Sequence, residues 1–293
     1  MTVRIDLHTH SDRSDGSDPP AQLVANAAAA GLDVLALTDH DTTAGWAEAT
    51  AAARDTGLGL LPGLEISTTH DGTGVHLLAY LPDPDHEPLR HELQRILDGR
   101  ASRLPSTLER LREVGIEITA DDVRRAAGPA AAMGRPHVAD ALIDLGVVAN
   151  RDEAFERFLS PGRPAYVDRY AADLVAMLDI VSDAGGATVI AHPWGRTARE
   201  TLTSDVLTEL ARHGLDGIEA DHQDHDDATR AELHELADRL GLVATGSSDY
   251  HGEGKMDCSL GCNTTAPDQL ERLLDAAAKA RTATGRGIEP VLP

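Results

Sequence analysis

The chain has 293 residues, 41% of them apolar, and a net charge of −23 at pH 7. Such an acidic balance opposes contact with long polyanions and excludes non-specific duplex binding, and no apolar run is long enough to cross a bilayer. The only cysteines, Cys258 and Cys262, read as reduced thiols rather than a disulfide framework.

In chain order, Val3 to Leu7 reads as a strand and runs straight into His8-Thr9-His10. The opening MTVRIDLHTH has no apolar signal region, so a cytoplasmic location is expected. Asp18-Pro19-Pro20 caps a helix that Gly31 closes, and Val34 to Leu37 is the next strand, completing a βαβ unit. An Ala-rich helix over Thr43 to Thr56 follows. Leu58 to Leu64 and Val75 to Leu81 are strands with a turn at Asp71-Gly72 between them. After Leu81 the pattern changes. Helical spacing over His91 to Val114, Ala120 to Ala127, Arg135 to Leu145 and Arg151 to Leu159, with no central strand, marks residues 83–164 as a helical insert or cap. Alternation resumes with a helix at Ala171 to Ala184, a strand at Ala187 to Ala191 and a helix at Ser204 to His213. Strands at Gly217 to Glu219 and Leu242 to Thr245 flank a helix at Ala228 to Leu240. Residues 1–82 and 165–281 thus form one discontinuous barrel, and 282–293 a loose tail.

Histidines and carboxylates recur just beyond the apolar runs: His8, His10, Asp15, His40, Glu65, His76, His192, Asp249 and His251. In a barrel of parallel strands, residues at the C-terminal ends converge on one face. His8 and His10 alternate to one side of an extended segment, as do Asp249 and His251. His40 sits between Asp39 and Asp41, the pattern of a metal ligand steadied by neighbouring carboxylates. Glu65, at the end of an apolar run, requires a partner, solvent or a metal. Nitrogen and oxygen donors of this kind suit Zn, Mn and Fe, and so many of them point to more than one ion and to hydrolysis. No Gly-x-Ser-x-Gly elbow and no Walker loop is present. Phosphate would need cations, and Arg135 and His137 in Gly134-Arg135-Pro136-His137 are the best candidates, with Arg196 after His192-Pro193-Trp194-Gly195. His222 and His225 follow a strand end and are candidates to contact phosphate or to protonate a leaving oxygen. Aromatic residues make up 3% of the chain, so base stacking would rest on few side chains, with Trp194, Tyr166 and Tyr250 as candidates.

HTHSDRSDG, ALTDHDT, PGLEIS, His76, IAHPWG and GSSDYHG together resemble the motifs of the PHP (polymerase and histidinol phosphatase) family, from Val3 to about Thr265. GRPHVADALIDLG and FLSPGRPAYV resemble the branch of small-nucleotide phosphatases and RNA 5′-end exonucleases. The resemblance implies a distorted (β/α)7 TIM-like barrel with a trinuclear centre of Mn, Fe or Zn. It implies that His8, His10, Glu65 and Asp249 hold one ion, that Glu65 bridges to a second held with His76 and His192, and that Asp15, His40 and His251 hold a third. It further implies attack by a bridging hydroxide on a phosphate ester of a small nucleotide, such as a 3′,5′-bisphosphate, or at the end of a short RNA. The branch usually carries an aromatic where this chain has Asp221 and a proline where it has Gln223. Histidinol-phosphate phosphatase and a silent metal- or nucleotide-binding module are the alternatives; the insert argues against the first and the full set of ligands against the second.

Overall fold

The computed structural model describes residues 3–131, 133–195, 199–252 and 259–292. Strands β1 (Ile5–Asp6), β2 (Val34–Leu37), β3 (Gly59–His70), β4 (Thr73–Tyr80), β6 (Ala187–Ile190), β7 (Gly217–Asp221) and β8 (Val243–Gly246) follow one another round a nearly closed barrel. The short β5 (Ala172–Asp173) pairs with β3 outside this order. Thr9 and Tyr250 bridge the two ends of the sheet in parallel, and His10 N–H donates to the Tyr250 carbonyl at 2.8 Å.

The barrel is not wholly parallel. β4 is antiparallel to both β3 and β6, whereas the other neighbouring pairs in the barrel are parallel. The reason is local: Asp71 (φ 47°) and Gly72 (φ 75°) form a two-residue turn with both residues left-handed, and such a link joins only antiparallel strands. Glu65 therefore lies within a strand, not beyond a strand end as expected, and His76 lies within β4 as its place in the Val75 to Leu81 run indicates. Because β4 runs backwards, its donor His76 precedes the apolar residues of the same face, Leu78 and Tyr80, while on β1 and β2 the donors follow them. Period-two alternation does the sorting. Val75, Leu77 and Ala79 join the large core between the sheet and the outer helices, and Leu78 and Tyr80 join the barrel interior.

Helices α1 (Pro20–Ala29), α2 (Trp46–Thr56), α7 (Leu174–Asp183), α8 (Ser204–His213) and α9 (Asp227–Leu240) supply that outer core through Leu23, Trp46, Met177, Leu207 and Leu233. The insert is built from α3 (Glu87–Glu113), α4 (Ala120–Ala127), α5 (Arg135–Asp144) and α6 (Arg151–Ala154), the last continuing as a π-helical turn over Phe155–Leu159 where one helix was expected. α3 is divided between two cores. Leu89, Leu93 and Ile96 join the barrel, and Leu104, Leu108 and Leu111 join a separate cluster with Val138, Leu142, Phe158 and Leu159. The changeover falls between Ile96 and Leu104, just ahead of Pro105, which removes one backbone donor from the helix.

The C-terminal end departs from expectation. Helix α10 (Pro267–Thr284) sends Leu270, Leu273 and Ala277 into the barrel interior. Beyond it the chain is not loose: Ile288 N–H donates to Leu81 O at 2.9 Å, and Leu60 and Val291 exchange hydrogen bonds of 2.7 and 2.9 Å. No described helix is long and apolar enough to cross a membrane.

Candidate metal centre

The donors named from the sequence, separated by up to 243 positions, meet at one end of the barrel. Around Glu65, 1% exposed on β3, five imidazoles converge. His8 Nε2 (3.2 Å), His10 Nε2 (3.1 Å) and His40 Nδ1 (3.1 Å) face Oε2, and His76 Nδ1 (2.7 Å) and His192 Nε2 (3.1 Å) face Oε1. Asp249 Oδ1 lies 3.4 Å from His8 Nε2 and 3.2 Å from His10 Nε2, and those two nitrogens are 3.1 Å apart. On the other flank Asp15 faces His251 Nε2 at 3.3 Å, His40 Nε2 at 3.7 Å and His10 Nδ1 at 3.8 Å. Three groups of donor atoms each fall within 4.8 Å: His8, His10, Glu65 and Asp249; His10, Asp15, His40 and His251; and His40, Glu65 and His76. The first is the quartet expected. In the third, His40 stands where His192 was expected, although His192 remains beside Glu65.

The donor set fits metal ions. Bonds of about 2.0–2.1 Å in a tetrahedron separate ligand atoms by about 3.3–3.4 Å, close to the spacing among His8, His10, Glu65 and Asp249. Ring nitrogen His10 Nδ1 is buried without a hydrogen-bond partner, and His40 Nδ1 and His76 Nδ1 meet only the Glu65 carboxylate, outside hydrogen-bond geometry; a buried polar atom left unsatisfied costs about 1–3 kcal/mol unless something binds there. His8 shows the usual outer support of a metal-binding imidazole: Nδ1 lies 3.2 Å from Glu219 Oε1, which leaves the Nε2 lone pair aimed at the centre. Backbone strain is concentrated here too, with His192 at φ 31° and Asp249 at φ 48°.

The electrostatics follow from crowding. Burial would raise the Glu65 carboxyl, but His40, His76 and His8 hold it well below the ordinary range. Burial likewise opposes ionisation of Asp15, and His40 and His251 reverse it. Burial works against a proton on His10, yet Asp249 and Glu65 outweigh it and push this imidazole up to about 9. His40 goes the other way, to about 3, because burial prevails over Glu65 and Asp15. A metal must displace the proton that His10 carries below about pH 9. Binding of Mn(II) at pH 8 should therefore release protons, and affinity should rise as the pH climbs towards 9 and then level off. Calorimetric titration in buffers of different ionisation enthalpy checks this, and an observed enthalpy independent of buffer would refute it.

Several residues have tasks other than those expected. Asp39 accepts from Ser11 N and from the Ser11 and Ser14 hydroxyls, and Asp41 from Ser67 N, Ser67 Oγ and Arg100, so the flanking aspartates fasten neighbouring segments rather than the His40 ring. His137, expected to meet phosphate, has both ring nitrogens on backbone groups. Gly134 N–H donates to Nδ1 at 2.9 Å, and Nε2–H then donates to Ser14 O at 2.8 Å. Arg151 Nη2 donates to Asp15 O at 3.0 Å while also gripping Asp140, so the insert clamps the segment that carries Asp15 from both sides. His222 is fully buried. It accepts Asp224 N–H at Nδ1 and faces Asp249 Oδ2 with Nε2 at 3.4 Å, which steadies that carboxylate. His225 donates from Nδ1 to Ala220 O at 2.9 Å, and its Nε2 is buried without a partner. Arg135 donates to Leu159 O at 3.1 Å, with Tyr166 and Phe155 near its guanidinium. Arg196 and Cys258 lie outside the described residues.

Glu219 and Asp6 were not singled out from the sequence. Besides holding His8, Glu219 accepts His192 N–H at 2.7 Å and the Ser247 hydroxyl. Its signal was present: Gly-Ile-Glu-Ala repeats the Gly-Leu-Glu-Ile pattern around Glu65, a carboxylate inside an apolar strand. Asp6, raised to about 6 by burial, accepts from Ser248 N at 3.0 Å and Gly261 N at 2.8 Å, which docks the Asp249 segment onto β1.

Known proteins bear on this arrangement. The PHP domain model matches residues 6–119. A 3′,5′-nucleoside bisphosphate phosphatase of Chromobacterium violaceum is 37% identical, over 87% of this chain and 90% of its own. A 5′-3′ exoribonuclease of Haemophilus influenzae is 34% identical, over 86% of this chain and 91% of its own. The crystal structure of a candidate metal-dependent phosphoesterase from Bifidobacterium adolescentis superposes with a TM-score of 0.88 at 36% identity, covering 93% of this chain and 96% of that one. With the histidine and carboxylate motifs gathered on such a barrel and relatives this similar along nearly their whole length, the chain belongs to the PHP domain family.

Proposed function

We propose that this protein is a metal-dependent phosphoesterase that hydrolyses a phosphate ester of a small nucleotide, such as a 3′,5′-bisphosphate, or of the 5′ end of a short RNA. The observation that carries the reading is Glu65, a buried carboxylate whose two oxygens face separate sets of imidazoles. His8, His10 and Asp249 would share one ion with Glu65, His76 and His192 a second, and Asp15, His40 and His251 a third, each Mn, Fe or Zn. Bound there, the ions supply Lewis acidity toward a phosphoryl oxygen. The chain's own part is to hold the ligands in place through Glu219, His222, His137 and Arg151. We assign to His225 Nε2 the proton transfer to the leaving oxygen, and to Arg135, Arg196 and their neighbours the reception of phosphate. The relatives are named as a bisphosphate phosphatase and an exoribonuclease, which supports a nucleotide over histidinol phosphate. The net charge of −23 supports a small substrate over a duplex.

A phosphate-release screen of the manganese-loaded protein tests the reading. A nucleoside bisphosphate or a short 5′-phosphorylated RNA should show the highest kcat/KM, ahead of histidinol phosphate and a long duplex. Histidinol phosphate as the best substrate would overturn it.

A further inference from the structure

The three donor groups are not held in place by the same part of the molecule. Those that contain Glu65 are fastened from within the barrel: Glu65 N–H donates to Thr38 O at 3.0 Å, Glu219 holds His8, and His222 faces Asp249. Asp15 belongs to no strand or helix. It sits on the loop between β1 and α1, and its carboxylate faces imidazoles at 3.3–3.8 Å, farther than the 2.7–3.2 Å around Glu65. The barrel fastens the flanks of this loop: Asp39 accepts from Ser11 N and from the Ser14 hydroxyl, and Ser17 N–H donates to His251 O at 2.9 Å. The crest is fastened from outside the barrel. Three successive backbone carbonyls each accept a donor from a different part of the insert. Ala131 N–H, ahead of α5, donates to Arg13 O at 3.0 Å, His137 Nε2–H, on α5, donates to Ser14 O at 2.8 Å, and Arg151 Nη2, on α6, donates to Asp15 O at 3.0 Å.

The side-chain donors are themselves fixed. Gly134 N–H donates to His137 Nδ1 at 2.9 Å, so Nδ1 carries no proton and Nε2–H points at Ser14 O. Asp140 grips Arg151 through both carboxylate oxygens, at 2.6 and 2.7 Å, which ties α6 to α5. The insert also has a hydrophobic core of its own, where Val123, Val138, Leu142 and Phe158 meet, so α4 to α6 dock on the loop as one body. A buried carbonyl cannot turn away from its donor without leaving it unpaired, at a cost of about 1–3 kcal/mol. Three consecutive carbonyls held in this way fix the backbone on both sides of the Asp15 Cα, and with it the direction of the carboxylate.

We propose that the insert is a positioning device for one ion: through Ala131, His137 and Arg151 it holds Asp15 in its ligating position, so that occupancy of the site of Asp15, His40 and His251 depends on the docked insert while the ions at Glu65 do not. This role rests on the proposed three-ion centre. Equilibrium dialysis of the chelated protein against Mn(II), with bound metal counted by elemental analysis, reads the site without catalysis. At a free Mn(II) concentration that just fills wild type, His137→Leu should hold one ion fewer and should need about 10- to 100-fold more Mn(II) to regain it, the usual cost of losing an outer partner of a metal ligand. His137→Gln keeps an amide N–H close to the place of Nε2 and should refill at a lower concentration than His137→Leu. Asp15→Ala should lose the same ion. The double variant, Asp15→Ala with His137→Leu, should hold as many ions as Asp15→Ala alone, because no carboxylate is left to position. Arg151→Met, which frees the neighbouring carbonyl, takes the place of His137→Leu if that variant does not fold. A lower melting temperature with an unchanged ion count in His137→Leu, or a further ion lost in the double variant, would overturn the positioning role. An Asp15→Ala protein that keeps the full count would overturn the third ion, and the role of the insert with it.

Discussion

Glu65→Gln is expected to lower turnover by more than about 100-fold, beyond the usual cost of removing an outer partner of a metal ligand, and to lower metal content with it. Gln keeps the length and shape of the side chain, so packing around β3 should survive. The charge does not survive, and one of the two oxygens becomes an NH2 group. His76 and His192 face one oxygen of Glu65, and His8, His10 and His40 face the other, so neither oxygen can be given up without turning a donor towards imidazole nitrogens. Because the same carboxylate belongs to two of the three donor groups, the loss should extend to more than one ion. Cys262→Ser, at an exposed thiol, is the control and should change little. Metal analysis and steady-state kinetics on both variants decide the matter. Similar kinetics for Glu65→Gln and wild type, or similar losses in both variants, would show that the centre is elsewhere.

Exhaustive chelation should abolish hydrolysis and also loosen the fold. Asp15, Glu65 and Asp249 are buried together, and without cations they rely on imidazoles whose protonation burial opposes. A ligand present at about 100 times its Kd stabilises a folded protein by about 2.7 kcal/mol. In a chain of this size that corresponds to a Tm about 4–5 °C lower for each such ion removed by chelation. Adding back Mn, Fe or Zn should restore both properties, and the metal that restores most turnover identifies the working ion. Full activity in a preparation shown by elemental analysis to be metal-free would end the metal-dependent reading. Activity lost with no change in Tm would mean that the ions are bound too weakly to support the fold.

Much of the centre could be read from the sequence because of how strands are built. A donor placed one or two residues beyond a buried apolar run is brought to a strand end wherever that strand goes. His8, His10, His40 and Asp249 were therefore identifiable without knowing which strands are neighbours. The Asp71-Gly72 turn was equally plain, and it already requires an antiparallel hairpin, since two residues cannot carry a parallel crossover. Treating every strand as parallel placed Glu65 beyond the end of its strand, whereas β3 continues past it to His70 and pairs there with the returning β4. Helix α10 and the strap that follows it went unread because their apolar residues are few and their partners, Leu60 and Leu81, lie more than two hundred positions away.

What the sequence determined by itself is the donor chemistry, the alternation of strands and helices and the order of the elements, because apolar periodicity and residue type are local properties. Which donors share an ion was decided only by the tertiary structure, and so were the outer supports. Glu219 reaches His8 across 211 positions, His137 reaches Ser14 across 123, and Arg100 reaches Asp41 across 59. Whether a histidine grips a metal, a carbonyl or a carboxylate depends on which hydrogen-bonding groups the packed chain sets around its two ring nitrogens. That environment is a product of barrel closure and of the insert docking against it, and no stretch of sequence around the histidine contains it.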